Sequence, residues 1–518
     1  MNLNDLSKED LLKMVLKLQK ENESKDKHIK KLEAEKRKLN VELNKLIEKY
    51  EHKVEVNNKL IVERYLAKSE KLTPVEESIN EAEFIIDDEN NSNKTERKTP
   101  TKNFIEELKA LKNKTIVEDF DFELNNIDSS KVKSFGEDVS YKIEIKPVDF
   151  EVVEIKRPKY KDKDYIYQAK SNDPFPHSPL TPSLAANIIN MKYNLAVPLH
   201  RYAKYMNTFN LMVSPQDLSN YVVRTQELLE PLYKQLEYHL VNTKYKVIHG
   251  DETPLQVVDM NKKKSYMFVY TTSFWDDPIY IYQFSENRKI DKTVTLLNDY
   301  KGYFICDGYP GYDALPEEVN GEIQIQRCWV HMRRYFFDCL KSIKKENIVN
   351  SKAYPVVKKI DEMFKIEAQM RENEFTVDQI KSKRNSKEYT SLLKELDEMI
   401  LSIDYGSSSY LKKACEHYKN DKDELYTFLS NGYVDIHNNL CERTVRPFTI
   451  ARRNFMFCKT SDGATVTGKL FSIVQTAKAN GLRVEQYLKY VIERIEKFPI
   501  DDLLPWSDKL PDELKIKV

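Results

Sequence analysis

The chain has 518 residues, in which 83 lysines and arginines balance 83 aspartates and glutamates. This length predicts several domains with sizeable apolar cores, and the neutral overall charge leaves only local clusters to indicate a charged partner. The sequence contains no apolar run of the roughly 18 residues that a membrane-spanning helix requires, and its start lacks a signal-peptide pattern. All six cysteines lie beyond residue 300 without the spacing of a disulfide framework, which predicts a reducing, cytoplasmic location.

Residues 8–66 carry a heptad pattern of apolar residues with charged flanks. Its main seam consists of Leu11, Leu18, Lys25, Leu32, Leu39, Leu46, Lys53 and Leu60. Such a seam is typical of a coiled coil, in which a few polar core positions fix the register and the number of chains. We therefore predict a self-associating coiled coil in residues 1–73, most simply a homodimer. A single long helix packed on its own protein is the alternative.

Residues 74–135 are predicted to form a linker. Pro74 ends the helical pattern, and the stretch from residue 85 to residue 103 is polar and poor in aromatic side chains. A short helix is predicted near Phe104–Lys112.

Residues 136–170 are predicted to form a small β ribbon of two or three strands. Apolar residues alternate with polar ones at Tyr141, Ile143, Ile145, Phe150, Val152, Tyr165 and Tyr167. The ribbon contains no cysteine, so we expect no zinc bound by thiolates there.

Residues 171–242 are predicted to be helical after a proline-rich opening. One helix start is well specified, with Ser214 as the N-cap, Pro215 at the first helical position and Asp217 in the first turn. This helix and the one before it have the layout of a helix-turn-helix, which would read DNA. Plain packing against the rest of the protein is the alternative.

The stretch Lys244–Val258 is predicted to contain a buried strand, because short β-branched runs bounded by glycine and proline are typical of one. Asp251 lies inside this strand. Burying a carboxylate is costly unless an arginine, a lysine or a metal ion compensates its charge.

The strand of Asp251 is the first of an ordered series of elements in residues 243–343. The predicted series continues with strands at Ser265–Thr272 and Pro278–Phe284, a helix at Lys292–Asn298, strands at Gly302–Asp307 and Ile323–Val330, and a helix at His331–Ser342. This order predicts an α/β fold of the ribonuclease-H-like type, in which the first and fourth strands are neighbours.

Asp251 and Asp307 would then face one another at one sheet edge, where two carboxylates repel unless a divalent cation bridges them. The alternative for Asp307 is a plain turn residue, because the sequence Asp-Gly-Tyr-Pro-Gly that begins with it favours a turn.

Residues 344–434 are predicted to be a helical insertion without a catalytic pattern. The second part of the core, residues 435–518, contains Glu442, which is either a capping glutamate three residues after Asn439 or a functional carboxylate. Phenylalanines and five basic residues follow Glu442, and a cationic stretch of this kind suits a DNA backbone. The predicted DNA-binding residues are Arg443, Arg446, Arg452, Arg453 and Lys459.

From about Leu184 to Trp506 the chain resembles the DDE transposases of the insertion-sequence-sixty-six family. The resemblance rests on ordered blocks that begin at Asp251 (DETP), Asp307 (DGYPGY), Cys328 (CWVHMRR), Asn438 (NNLCERTVRP), Arg453 (RNFMF), Thr476 (TAKANG) and Leu503 (LLPW). It implies that Asp251, Asp307 and Glu442 are catalytic and hold two Mg²⁺ or Mn²⁺ ions.

The same resemblance implies cleavage and strand transfer of transposon ends into target DNA, in a bacterial protein that joins the nucleoid when bound to DNA. Companion proteins of the same element are further expected partners. Family members usually carry a cysteine zinc site in the region of the ribbon, which this chain lacks. Two alternatives stay open: a non-catalytic or domesticated DNA-binding scaffold, and a nuclease without strand transfer.

Cys328 and His331 have the spacing of a pair of metal ligands, C-x-x-H. A closed zinc site needs four ligands, so a pair alone does not form one. Related transposases carry a similar pair, and we interpret these two residues as structural support for the active site.

Overall fold

The computed structural model describes residues 150–157, 159–161, 166–168, 171–260, 264–341, 348–406 and 408–516. The predicted coiled coil, the linker with its short helix and the first half of the ribbon lie outside these residues. In the described part, the helices are too short or too polar to cross a membrane.

The ribbon is described only in its second half. Two short strands, β1 (Lys159–Lys161) and β2 (Ile166–Gln168), pair antiparallel with Tyr160 opposite Tyr167. The strand predicted around Phe150 and Val152 is wrong, because residues 150–157 have no regular structure and the Val152 side chain is 89% exposed. Alternation stabilises a strand only where another surface covers its apolar face.

The predicted helical region is confirmed. It contains α1 (Pro182–Ile189), a π-helical turn (Asn190–Asn194), α2 (Leu199–Asn207) and α3 (Pro215–Val241). The predicted start of α3 is also confirmed. Asp217 N donates to Ser214 Oγ (3.1 Å), and Ser214 N donates to Asp217 Oδ2 (3.0 Å), which is a reciprocal capping box.

Helix α3 packs along its length against the rest of the protein. Its buried side chains run from Leu218 in the first turn to Leu240 in the last, and Glu237 accepts a hydrogen bond from Gln283 of the sheet. This is the packing role that the sequence left open. DNA reading by α2 and α3 stays a prediction.

Five strands form the central sheet. They are β3 (Val247–Leu255), β4 (Ser265–Thr272), β5 (Tyr280–Ser285), β6 (Lys301–Cys306) and β7 (Glu322–Arg327), in the spatial order β5-β4-β3-β6-β7. Strand β4 runs antiparallel to both of its neighbours, β3 and β5, whereas β3, β6 and β7 run parallel. The expected neighbourhood of the first and fourth strands is therefore confirmed.

The connections within the sheet are short. Helix α4 (Asp291–Leu296) precedes β6, and a 3₁₀ turn (Pro310–Ala314) with α5 (Leu315–Glu318) precedes β7. Alternation along the strands separates two faces. Ile305 joins the core beneath the insertion, whereas the ring of its neighbour Phe304 packs on Tyr312 of the 3₁₀ turn.

The insertion is helical, as predicted. After α6 (Trp329–Lys341) come α7 (Ala353–Glu372), α8 (Val377–Arg384), α9 (Lys387–Leu401) and α10 (Ser409–Leu425). The apolar faces of α6, α7, α9 and α10 form one core with Val247 of β3 and Ile305 of β6. The insertion is thus packed directly on the sheet.

A buried ion pair ties the end of the insertion to its helices. Arg384 Nη2 lies 2.7 Å from Glu367 Oε2, and Arg384 Nη1 donates to the carbonyl oxygens of Phe428, Asn431 and Val434 at 2.7–2.9 Å. An arginine with this many partners is the form in which a buried charge is tolerated. It fixes the segment that leads back to the sheet.

The chain ends with α11 (Asn439–Phe455), α12 (Ser461–Ala479) and α13 (Val484–Ile492). Ser472 and Thr476 of α12 accept hydrogen bonds from the backbone of the edge strand β5, at Tyr282 N (2.8 Å) and Tyr280 N (2.9 Å). An edge strand covered in this way cannot pair with another chain.

We expect Gly250→Ala to lower the free energy of unfolding by about 1–3 kcal/mol. A Cβ at residue 250 would lie 2.2 Å from Cζ of the buried Phe304 side chain, so this ring would have to move against its neighbours beside Asp251. Urea unfolding measures the loss. Gly308→Ala is the matched control, since its Cβ would meet its nearest neighbour at 3.7 Å. Equal stability of the two variants would contradict this account.

Candidate active site at the ends of the central strands

Asp251 and Asp307 are brought together by the register of β3 and β6. His249 pairs with Ile305 in the parallel ladder, and two further residues along each strand lead to Asp251 and Asp307. Asp307 directly follows Cys306, the last residue of β6, so the strand ends one residue earlier than predicted. Its Oδ1 accepts a hydrogen bond from Tyr309 N (2.9 Å), so it also forms the predicted turn.

Glu442 lies in the first turn of α11, which packs across β3 and β4. The predicted asparagine cap is wrong in its details. Asn438, not Asn439, occupies the N-cap position, and its side chain makes no capping bond to the helix. The Asn438 side chain is hydrogen-bonded to strand β3 instead.

The buried side chain of Asn438 joins α11 to the central strand. Its Nδ2 donates to Gly250 O (2.8 Å), and its Oδ1 accepts from His249 Nδ1 (3.1 Å). Its backbone N–H points to Cys328 Sγ (3.2 Å), and its carbonyl accepts from Glu442 N (3.1 Å). One residue therefore sets the start of α11 relative to both β3 and α6.

The other ring nitrogen of His249 faces a carboxylate. His249 Nε2 lies 3.5 Å from Asp435 Oδ2, and Asp435 is ion-paired with Arg371 of the insertion. Burial alone would raise the pKa of Asp435, but the Arg371 charge and the His249 contact hold that pKa well below its usual value. No local sequence pattern predicts this network, because its members lie far apart along the chain.

The electrostatics of the site are dominated by negative charge. Burial raises the pKa of Asp251 well above its ordinary value, and the charges of Asp307, Glu252 and Glu442 raise it further. Each of these carboxylates therefore lies close enough to disfavour the ionised form of Asp251. Carboxylates that repel one another in this way form a donor set suited to a divalent cation.

Glu252 points to the other face of β3, as alternation predicts. Its carboxylate accepts from Tyr312 OH (2.7 Å) and pairs with Arg288 Nη2 (2.6 Å). These bonds satisfy Glu252 within the fold. A substitution of Glu252 would disturb this ion pair and the fold around it. Glu252 is therefore unsuitable as a control residue in mutational tests of its neighbour Asp251.

Arg327 positions the turn that carries Asp307, and sequence reasoning missed it. Its Nη1 donates to Asp307 O (2.6 Å), and its Nη2 pairs with Asp313. The side chain is only 3% exposed. The sequence does place Arg327 near the end of a predicted buried strand. A buried arginine needs polar partners close by, so that position could have predicted a structural role.

The predicted DNA-binding residues occupy different environments. Arg443, Arg446 and Lys459 are exposed, whereas Arg452 and Arg453 are half-buried. Arg452 Nη1 donates to Thr253 Oγ1 (3.1 Å) and to the carbonyl of Pro254. Arg452 therefore helps to hold α11 on β3.

Cys328 and His331 lie beside Glu442 at the start of α6. Their sulfur and imidazole nitrogen and a Glu442 carboxylate oxygen all lie within 4.8 Å of one another. Among the residues that the structure describes, this is the one group of three potential metal ligands whose ligand atoms all lie within that distance. The ligand atoms of Asp251, Asp307 and Glu442 are more widely spaced. The predicted supporting pair thus contacts the predicted catalytic glutamate.

Two family models match the part of the chain that builds this site. The model described as "Transposase IS66 family" matches residues 177–466, and the "IS66 C-terminal element" matches residues 472–506. The chain belongs to the IS66 transposase family. Membership in this family supports a transposase role and implies binding of DNA.

Similar curated proteins come from Sinorhizobium fredii. Uncharacterized protein y4hP is 26% identical over 418 residues, which cover 73% of this chain and 72% of that protein. Uncharacterized protein y4qI is 27% identical over 406 residues, with the same shares covered. Uncharacterized protein y4jD is 25% identical over 406 residues, or 74% of this chain and 77% of that protein.

We expect Asp251→Asn to raise the melting temperature of the cation-free IS66-family protein by a few degrees at neutral pH. Because the folded pKa of Asp251 is raised, the contribution of Asp251 to stability is most favourable below its unfolded pKa of about 4 and is lost as pH rises through the folded pKa. The gain should therefore be smallest near about pH 4 and grow towards about pH 7.

Thermal unfolding in a chelator across this pH range measures the effect. Asp259→Asn is the control, because Asp259 is exposed and its replacement should change little at any pH. A gain that did not depend on pH would contradict the electrostatic cause.

Proposed function

We propose that this protein is a metal-dependent DDE transposase that cleaves transposon ends and joins them to target DNA. The family match over residues 177–466 supports the transposase role. The observation that carries the proposed mechanism is the parallel register of β3 and β6, which brings Asp251 level with Asp307. Glu442 in the first turn of α11 is close enough for its charge to act on Asp251. The proposed catalytic residues are these three.

The proposed fold of the catalytic part is ribonuclease-H-like. The strand order β5-β4-β3-β6-β7, with the first three strands antiparallel and the fourth and fifth parallel to the first, supports this assignment. The helical insertion then lies between the second and third catalytic residues.

The donor set fits Mg²⁺ or Mn²⁺, because it offers carboxylate oxygens and a surplus of negative charge. Two such ions bound there would activate the attacking oxygen and stabilise the leaving oxygen at phosphorus. Asp251 and Asp307 are the rigid part of the set, since one lies in a central strand and the other in a turn held by Arg327. Glu442 completes the set from a long side chain.

The substrate would be held by basic residues around the carboxylates. Arg443 and Arg446 are exposed on the helix that carries Glu442, so phosphates bound to them would lie beside the site. Lys459 is exposed just after the segment in which Cys458 pairs with Val257. Such phosphate contacts would position DNA without reading its sequence.

We expect Asp307→Ala to abolish cleavage of DNA that carries the terminal repeats flanking the gene. A lost metal ligand removes several kcal/mol of transition-state stabilisation, which corresponds to a rate loss of ~1000-fold or more. The assay follows end-labelled DNA in Mg²⁺ and separates nicked from joined products. Binding of the same DNA should stay nearly unchanged.

Asp259→Asn is again the matched control and should cut normally. Cutting by Asp307→Ala would overturn the proposed mechanism. Nicked products without joined ones from the wild type would favour the nuclease alternative, and DNA binding without cutting would favour the scaffold.

We expect the double variant Arg443→Gln, Arg446→Gln to bind DNA more weakly and with a flatter dependence on salt. Each lost phosphate contact should reduce the slope of log affinity against log salt by about one unit. The control is Lys394→Gln, Lys412→Gln, which removes two exposed charges from the insertion. An unaltered slope in the arginine variant would show that these arginines serve the fold.

A further inference from the structure

The start of α6 and the first turn of α11 form a cluster of mixed ligand chemistry. Cys328 provides a sulfur, His331 an imidazole nitrogen and Glu442 a carboxylate oxygen, all within 4.8 Å of one another. The sequence showed only the C-x-x-H pair, which is too few ligands for a zinc site. The tertiary structure supplies a third ligand from a position more than a hundred residues away.

Two atoms of this cluster lack partners. His331 Nδ1 and Glu442 Oε1 are buried, and no residue in the described part of the chain is hydrogen-bonded to either. They lie 3.8 Å apart, which is too long for a hydrogen bond. Unpartnered buried polar atoms are costly and call for an explanation. A cation between them would satisfy both.

We propose that Cys328, His331 and Glu442 bind one thiophilic divalent cation, such as Zn²⁺. Sulfur and imidazole nitrogen are ligands that zinc prefers, whereas Mg²⁺ prefers oxygen. Three protein ligands with a water in the fourth position make an open tetrahedral site. Bond lengths of roughly 2.0–2.3 Å imply ligand separations of about 3.3–3.7 Å, so a shift of about 1 Å by the Glu442 side chain closes the cluster.

The surroundings allow the ion to enter and be held. The side chains of His331 and Glu442 are 25% and 30% exposed, so one side of the site is open to solvent. Cys328 is buried and receives the backbone N–H of Asn438 on its sulfur. Burial and the charge of Glu442 raise the pKa of the Cys328 thiol to about 12, and the backbone hydrogen bond offsets this only in part. The thiolate therefore forms when the bound ion displaces the thiol proton.

The bound cation would fix the catalytic glutamate that the proposed function invokes, and in that respect this inference rests on it. Glu442 meets the soft pair Cys328 and His331 within 4.8 Å, and its charge also acts on the proposed oxygen ligand Asp251. A thiophilic ion on the soft side ties the first turn of α11 to α6. It therefore sets the position from which Glu442 serves the carboxylate site.

The test is a Co²⁺ titration of the full chain after removal of metals with a chelator. We expect the wild type to bind Co²⁺ with a near-ultraviolet thiolate-to-cobalt charge-transfer band and the intense visible bands of tetrahedral cobalt. Cys328→Ser should lose the charge-transfer band. His331→Gln, at a partly exposed position, should retain the fold and bind Co²⁺ at least about tenfold more weakly.

Cys458→Ser is the matched control, because it removes a buried cysteine that lies outside the cluster. It should keep the full cobalt spectrum. Absence of the charge-transfer band in the wild type, or its persistence in Cys328→Ser, would overturn the proposal.

Asp251→Asn separates this inference from the proposed function. The variant keeps all three ligands of the soft site, so it should keep the cobalt spectrum although it is expected not to cut DNA. A spectrum without cutting by the wild type would contradict the proposed function and leave this site intact. Cutting without a spectrum would contradict this site and leave the function intact.

Discussion

The side chain of Asn438 is the contact on which the geometry of the site depends. It bonds to Gly250 and His249 in the residues just before Asp251, and its own backbone begins the helix of Glu442. Without the Asn438 side chain, the Gly250 carbonyl and the His249 ring of β3 would each lose a buried hydrogen-bond partner, which costs about 1–3 kcal/mol per group. The two bonds therefore stabilise one position of α11 on β3. They fix where a helix from the last part of the chain meets a strand from its middle.

The insertion reaches the site through the same segment. Arg384 holds the carbonyl oxygens of Phe428, Asn431 and Val434, and Arg371 is paired with Asp435, three residues before Asn438. Two arginines from the insertion thus anchor the return of the chain to the sheet. The insertion has no catalytic pattern of its own, but its packing on β3 and β6 makes it part of the frame that positions Glu442.

The site combines rigid carboxylates with an adjustable one. Asp251 is fixed by the ladder of β3, and the Asp307 turn is held by the buried Arg327. The two aspartates lie two residues beyond the last parallel pair of β3 and β6, His249 and Ile305. The charges of Asp307, Glu252 and Glu442 all disfavour ionised Asp251. Only Glu442 has a flexible side chain and a neighbouring pair of softer ligands. Glu442 therefore has the Cys328–His331 pair and Asp251 within its reach only because the folded structure brings distant segments together.

The sequence by itself determined the order of the elements, the first aspartate inside a strand, the second at a strand end and the capping box of α3. These follow from local causes: β-branched periodicity, turn residues next to Asp307, and Ser214 three residues before Asp217. It also led to the family, through ordered motifs. It failed where local rules compete with distant partners: Val152 alternates without forming a strand, and Asn438 leaves its cap for β3. Only the tertiary structure decided how Asp251, Asp307 and Glu442 are supported. The supporting contacts join His249 to Asn438 and Asp435, Asp435 to Arg371, and Arg327 to Asp307, at separations of 20 residues or more that no local pattern encodes.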